Sequence, residues 1–114
     1  MSGQALAFDK HTLEETRLFH TPMKDGWGLT VADDGYLIGT DSSTTLYTME
    51  LDKDSGDLVT KRTAEIHDGK RAVKWLNEVE WIEGEVWGNI WQTECIARVS
   101  PADGALALPP PLQA

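Results

Sequence analysis

Apolar and polar positions alternate along most of this chain with the two-residue period of extended strands. In residues 85–91, Val86, Gly88 and Ile90 fall on one face, and Trp87, Asn89 and Trp91 on the other. Both faces carry apolar bulk, as in a sheet sandwiched between two neighbouring sheets. Tyr47, Met49 and Leu51 alternate in the same way with Leu46, Thr48 and Glu50. No segment sustains a helical period, and residues 12–19 are the one stretch predicted to form a short helical turn.

The strand pattern repeats. "GWGLTVADDGYLIGTDSSTTLYTMELDKDSGDLV" and "LNEVEWIEGEVWGNIWQTECIARVSPADGALAL" each read as strand, tight glycine turn, strand, polar link, strand, acidic glycine turn and the start of a fourth strand. Gly35 and Gly84 mark the first turns, Gly56 and Gly104 the second, an offset of 48–49 residues. A partial copy lies at the front, where "ALAFDKHTLEETRL" matches "MELDKDSGDLVTKR". A repeat of roughly 40–50 residues built from four strands is the signature of a propeller blade. The predicted fold is all-β: a β-propeller fragment of about two four-stranded antiparallel blades. Residues 1–114 form one partial domain, with the tail of a blade at 6–22, a full blade at 26–67 and most of another at 76–108. Propellers close with about four to eight blades, so the chain is expected to be a fragment, a short isoform or a truncated product. Its open blade faces and sheet edges predict self-association. Three prolines in the closing "ALALPPPLQA" remove ladder donors and are expected to stop the last strand.

Hairpin arithmetic places the candidate chemistry. A two-residue Glu83-Gly84 turn pairs Ile82 with Glu85. Counting back sets Asn77 opposite Ile90, with Trp91 beside it. In the preceding unit Trp27 falls near Asp41. Trp27, Asp41, Asn77 and Trp91 are thus expected on one rim. Indoles desolvate a ligand and donate an N–H; an asparagine carboxamide both donates and accepts, which suits an amide or a free amine. Two readings stay open at these positions: Trp27 and Trp91 fit a site wall or core packing, and Asn77 fits a ligand contact or a strand-start turn residue. Trp75, Trp81 and Trp87 read as core packing.

The remaining polar residues change little. Glu78 and Glu80 alternate with Val79 and Trp81 and read as a solvated or salt-bridged face, or as a channel lining. His11, His20 and His67 lack ligand spacing and read as loop residues rather than a zinc site; no metal ligand is assigned. Cys95 alternates with Ala97 and Val99 and is placed in the core. No Ser-His-Asp or Cys-His arrangement and no phosphate-cradling glycine loop is visible, so no catalytic residue is assigned.

Charge narrows the partners. The net charge is −9 and the pI about 4.6, and the ten Lys and Arg are scattered. Nucleic acid and anionic membrane surfaces are therefore unfavourable partners. No apolar run approaches the ~20 residues of a membrane span. The N-terminal "MSGQALAFDKHT" has no basic region before an apolar stretch, so no signal peptide is expected. One cysteine leaves the redox compartment undetermined.

The motifs in order, Gly26-Trp27-Gly28-Leu29, Leu76-Asn77-Glu78-Val79-Glu80 and Asn89-Ile90-Trp91-Gln92-Thr93, resemble the plant and bacterial glutaminyl cyclases, the glutaminyl-peptide cyclotransferases of papaya type. That family carries a Gly-Trp-Gly-Leu, a Leu-Asn-Glu-Leu-Glu and an Asn-x-Trp-x-Thr stretch in this order, and the likeness runs to about Gly104. The resemblance implies a five-bladed β-propeller and conversion of an N-terminal glutamine of a peptide into pyroglutamate with release of ammonia. It implies Trp27 and Trp91 as pocket walls, Asn77 as a substrate hydrogen-bonding residue, and a peptide with an N-terminal Gln as partner. Catalysis of this kind needs a carboxylate for the amine proton and donors for the oxyanion. The family's Gln-Gly-Leu and Glu-Gly-Leu strand openings, the second bearing the catalytic Glu, are absent here, as is a later site Lys. The isolated chain is expected to be inactive. A noncatalytic β-repeat binding module and a nonfunctional truncated product are the alternatives. The cofactor and compartment are left unknown, although members of the family are often secretory.

Overall fold

A computed structural model describes residues 3–107. Among these residues the ordered elements are strands: β1 (Gln4–Phe8), β2 (Glu15–His20), β3 (Gly28–Val31), β4 (Leu37–Thr40), β5 (Thr45–Leu51), β6 (Leu58–Glu65), β7 (His67–Asp68), β8 (Arg71–Ala72), β9 (Leu76–Ile82), β10 (Glu85–Ile90) and β11 (Ile96–Val99). They build a four-stranded sheet in the order β3-β4-β5-β6, a three-stranded sheet β9-β10-β11, and the pairs β1-β2 and β7-β8. Every named strand pair is antiparallel. No helix among the described residues is long and apolar enough to cross a membrane.

The alternation in the sequence becomes two cores. Ala32, Ile38, Leu46 and Ile66 from the four-stranded unit meet Leu76, Val86, Ala97 and Val99 from the three-stranded one, with Val79 and Trp81 packed alongside. On its other face the four-stranded sheet buries Met49 and Leu58 with Met23, and Phe19 of β2 closes this second cluster beside Leu37 and Tyr47. Leu46 and Tyr47, adjacent in β5, therefore serve different cores, as the strand period demands. The four-stranded sheet is thus packed by the three-stranded unit on one face and only in part by Met23 and β2 on the other, where Leu29 and Val31 stay exposed. The β7-β8 pair, which follows β6, is tied to the segment after β11: His67 N–H donates to Gly104 C=O at 2.9 Å, and Leu106 N–H donates back to His67 C=O at 2.8 Å.

One turn recurs three times. Asp9 N–H donates to Glu14 C=O and Leu13 N–H to Asp9 C=O; residues 52–57 and 100–105 repeat this frame through Gly56 and Gly104. In each copy the residue that donates to the turn's first carbonyl is left-handed: Leu13 at φ 64°, Gly56 at 79° and Gly104 at 76°. The carboxylates of Asp9, Asp52 and Asp103 accept main-chain N–H groups of these turns. Those hydrogen bonds hold Asp9 and Asp103 below the usual carboxylate range. At Asp52 the Ser55 hydroxyl is the larger cause.

Two expectations are corrected. Residues 12–19 do not form a helical turn: Glu15–His20 is strand β2, with Leu18 opposite Leu6 and Phe19 opposite Ala5. Cross-strand pairing and burial of Phe19 outweigh the weak local helical pattern. Cys95 is half-buried rather than in the core. It lies in the turn before β11, where Thr93 Oγ1 accepts its N–H at 3.0 Å and its carbonyl accepts Ile90 N–H at 3.1 Å. The prolines 109–111, read as ending the last strand, lie outside the described residues.

Candidate functional site

The two sheets meet where β3 and β9 run beside each other. Thr40 Oγ1, on β4 next to β3, donates to Asn77 C=O at 3.0 Å, and Trp81 N–H donates to Thr30 Oγ1 at 3.1 Å. The approach explains Gly28: a Cβ there would sit 2.1 Å from the Asn77 carbonyl oxygen. Any side chain at that position forces the two strands apart. Trp27 N–H still bonds Thr40 C=O at 2.9 Å, so the β3–β4 ladder runs on by one residue and sets the indole at this corner.

The β9–β10 hairpin starts as the sequence predicts, with Glu85 opposite Ile82 across left-handed Glu83 and Gly84. It then departs. Val79 opposes Gly88, but Ile90 opposes Leu76, not Asn77. Asn77 and Glu78 together face the single residue Asn89, which is a β-bulge. The Asn89 carboxamide oxygen accepts Glu78 N–H at 3.2 Å and stands in for the interrupted ladder. Without the bulge, Asn77 would share the inward face of Val79 and Trp81. With it, Leu76 fills the core slot, only 1% exposed, and Asn77 is released to the sheet edge, half-buried. Gly88 makes room for this: a Cβ there would come within 2.8 Å of both Glu78 O and Leu76 Cδ1. The sequence carries a signal for the bulge, since Leu76 is out of step with Val79 and Trp81 in a two-residue count.

Three indoles gather at the same corner. Trp27 and Trp91 lie 5.5 Å apart between ring centroids at 72°, and Trp91 and Trp75 lie 6.0 Å apart at 85°. Trp91 is 43% exposed. Trp27 Nε1 donates to Asp25 at 3.1 Å, and Lys74 Nζ stands 4.7 Å from the Trp75 ring centroid. Beside Trp27 a cleft of about 280 Å³ is lined by Gly28, Leu29, Glu78 and Val79. Of the expected rim, Trp27 and Trp91 come into ring contact, and Asn77 joins the corner through its main chain.

Asp41 does not offer its carboxylate to that rim. It is buried, accepting Tyr47 O–H at 2.8 Å together with the hydroxyl and N–H of Ser43. Burial, then the hydrogen bond to Asp41 and its charge, push the Tyr47 phenol up to about 12. Trp75, read from sequence as core packing, instead stands against Trp91. Trp81 packs on the main core, and Trp87 lies under the Arg98 guanidinium, which also pairs with Glu85 at 3.0 Å. Glu78 and Glu80 are exposed. His20 lies 3.5 Å from Asp57, and His67 Nδ1 meets Gly69 O at 3.0 Å. Among the described residues no group of three or more His, Cys, Asp and Glu is arranged to hold a metal ion.

The geometry defines an all-β protein of packed antiparallel sheets, with a cleft between β3 and β9 that Trp27 lines and a row of three indoles beside it. The chain belongs to the glutamine cyclotransferase family, whose sequence pattern it matches over residues 1–108. It is 41% identical over 106 residues to the glutaminyl-peptide cyclotransferase of Arabidopsis thaliana, a match covering 93% of this chain and 32% of that protein. Its fold matches the crystal structure of Myxococcus xanthus glutaminyl cyclase with a TM-score of 0.75 and 25% sequence identity, over 92% of this chain and 43% of that one. The chain thus spans about a third of the length of the curated relative it matches.

Proposed function

We propose that this chain carries the substrate-binding corner of a glutaminyl-peptide cyclotransferase, which converts the N-terminal glutamine of a peptide to pyroglutamate and releases ammonia. In this reading the four-stranded sheet and the three-stranded sheet are consecutive blades of a five-bladed propeller. The β1-β2 pair is the tail of the blade before them. Trp27 and Trp91 wall the pocket, and Asn77 hydrogen-bonds the substrate. The observation that carries it is the contact of two indoles, Trp27 beside β3 and Trp91 just after β10, 5.5 Å apart, with Trp27 also lining the cleft between β3 and β9.

The chemistry asks the site to fold a glutamine side chain back on its own amine. The α-amine nitrogen attacks the γ-carboxamide carbon, a C–N bond forms, the amide C–N bond breaks, and the amine proton leaves with the departing ammonia. Apolar walls that hold the folded conformer supply much of the advantage, because they make the attack unimolecular and exclude water. The bulge supports the role of Asn77, since it takes that residue out of the core face and leaves it at the sheet edge. The resemblance puts the proton-handling carboxylate on a Glu-Gly-Leu stretch, which these 114 residues do not contain. The 114-residue polypeptide alone is therefore inactive but retains weak affinity for its ligand.

The test is a titration with a Gln-initiated peptide, followed by tryptophan fluorescence, beside an assay of ammonia release. Quenching without ammonia is expected, and Trp91→Ala should weaken binding about tenfold. Turnover by the polypeptide alone would overturn its inactivity; no quenching would overturn the assignment of the pocket. A second reading, self-association, is favoured by the outer face of β1-β2, where Leu6, Phe8 and Leu18 are 38%, 55% and 49% exposed. Replacing Phe8 and Leu18 with Lys should then shift sedimentation toward monomer.

A further inference from the structure

Trp75 has a left-handed backbone, φ 71°, a conformation that a bulky residue takes only when its surroundings impose it. Of the five non-glycine residues with positive φ among the described residues, three adjoin the indole row: Ser42 at 74°, Trp75 at 71° and Gln92 at 66°. The surroundings that impose it are identifiable. Trp75 N–H donates to Ser42 C=O of the four-stranded sheet at 3.1 Å, and Trp75 C=O accepts Trp91 N–H at 2.9 Å. One residue thus ties the β4–β5 loop to the end of β10. Its ring then stands nearly perpendicular to the Trp91 indole, which Trp27 contacts as well. Trp91 follows the last residue of β10 and is 43% exposed, so the sheet itself does little to hold its ring.

We propose that Trp75 is a positioning residue, whose indole fixes the ring of Trp91 against Trp27 and so sets the wall of the peptide pocket. The fixing stands on geometry alone; only its consequence for a glutamine-initiated peptide rests on the cyclotransferase reading. The backbone strain at Trp75 is then retained because it aims a ring.

Three variants of the 114-residue chain separate aiming from mere packing. Trp75→Gly keeps both main-chain hydrogen bonds, suits the left-handed backbone and removes the ring. Trp75→Phe keeps a ring edge against Trp91 but leaves Trp27 and Trp91 as the closely coupled indole pair at this corner. Trp75→Asn tolerates the same backbone and replaces the glycine variant if that one does not fold. The readout is the exciton couplet of the Trp27–Trp91 pair in circular dichroism, identified by its loss in Trp91→Phe. The couplet should survive in Trp75→Phe and fall by at least about half in Trp75→Gly, with the melting midpoint no lower than that of Trp75→Phe. Affinity for a Gln-initiated peptide should fall about tenfold in Trp75→Gly and recover in Trp75→Phe. Equal couplets in the two variants would overturn the proposal. Failure of the parent chain to bind the peptide would count against the cyclotransferase reading, while the couplet comparison would still decide the role of Trp75.

Discussion

The turns at residues 9–14, 52–57 and 100–105 and the corner where β3 and β9 run together are built on opposite plans. The turns repeat one hydrogen-bond frame three times, each with a left-handed residue at the same place. At the corner nothing repeats: β3 runs straight behind Gly28, whereas β9 bulges over Gly88, and strained residues collect beside the indoles. A turn has only to reverse the chain, and one local solution serves each time. The corner must seat two strands within van der Waals contact and leave chosen side chains free. That is where the repeated units diverge.

The largest expected effect tests the close approach. Gly28→Ala should cost about 3 kcal/mol by urea unfolding, because backbone rather than a pliable side chain stands in the way. An effect near that of an ordinary surface change would mean that the sheets separate easily. The bulge is tested by a neighbouring pair. Leu76→Ala should cost about 3 kcal/mol and Asn77→Ala less than about 1 kcal/mol, since Leu76 holds the buried slot. The reverse order would place Asn77 in the core and remove the bulge.

Tyr47→Phe should cost about 1.5 kcal/mol near neutral pH, because it takes a donor from the buried Asp41 carboxylate. Burial and Asp41 push the folded phenol up from its ordinary 10.0 to about 12. Between those values the unfolded chain has lost the proton and the folded chain still holds it. The stabilising contribution is therefore complete below pH 10 and disappears as the pH rises toward 12. Thermal melts of the wild type should fall more steeply than those of Tyr47→Phe across that window. The smallest effect is a gain. Leu13 holds the left-handed position that glycine fills in the two sister turns, and it is 74% exposed. Leu13→Gly should raise stability by roughly 1 kcal/mol, read as a higher melting midpoint. A loss would mean that the Leu13 side chain contributes to packing.

Much of this was legible in the residues. Alternation marked the strands around Tyr47 and Trp87, glycine spacing marked the turns, and the Glu83-Gly84 turn fixed the start of its hairpin. Short local patterns do not decide tertiary facts. Residues 12–19 looked locally helical, but β1 supplies the partner that makes them a strand. An unbroken ladder from Ile82 would set Asn77 opposite Ile90, but the bulge at Asn77 and Glu78 shifts the register by one residue. The lapse in parity at Leu76 was the available warning. Asp41 was placed at the correct corner, yet its carboxylate turns inward, since Tyr47 and Ser43 offer it hydrogen bonds that solvent would otherwise supply.

Sequence by itself determined most of the strands, the glycine reversals between them and the repeat, because these follow from alternation and from turn residues that act within a few positions. Only the tertiary structure decided which of Leu76 and Asn77 enters the core, and that Trp75 joins Trp27 and Trp91. Those outcomes depend on the spacing between two sheets, which is set by contacts such as that of Gly28 with the Asn77 carbonyl across 49 residues of chain.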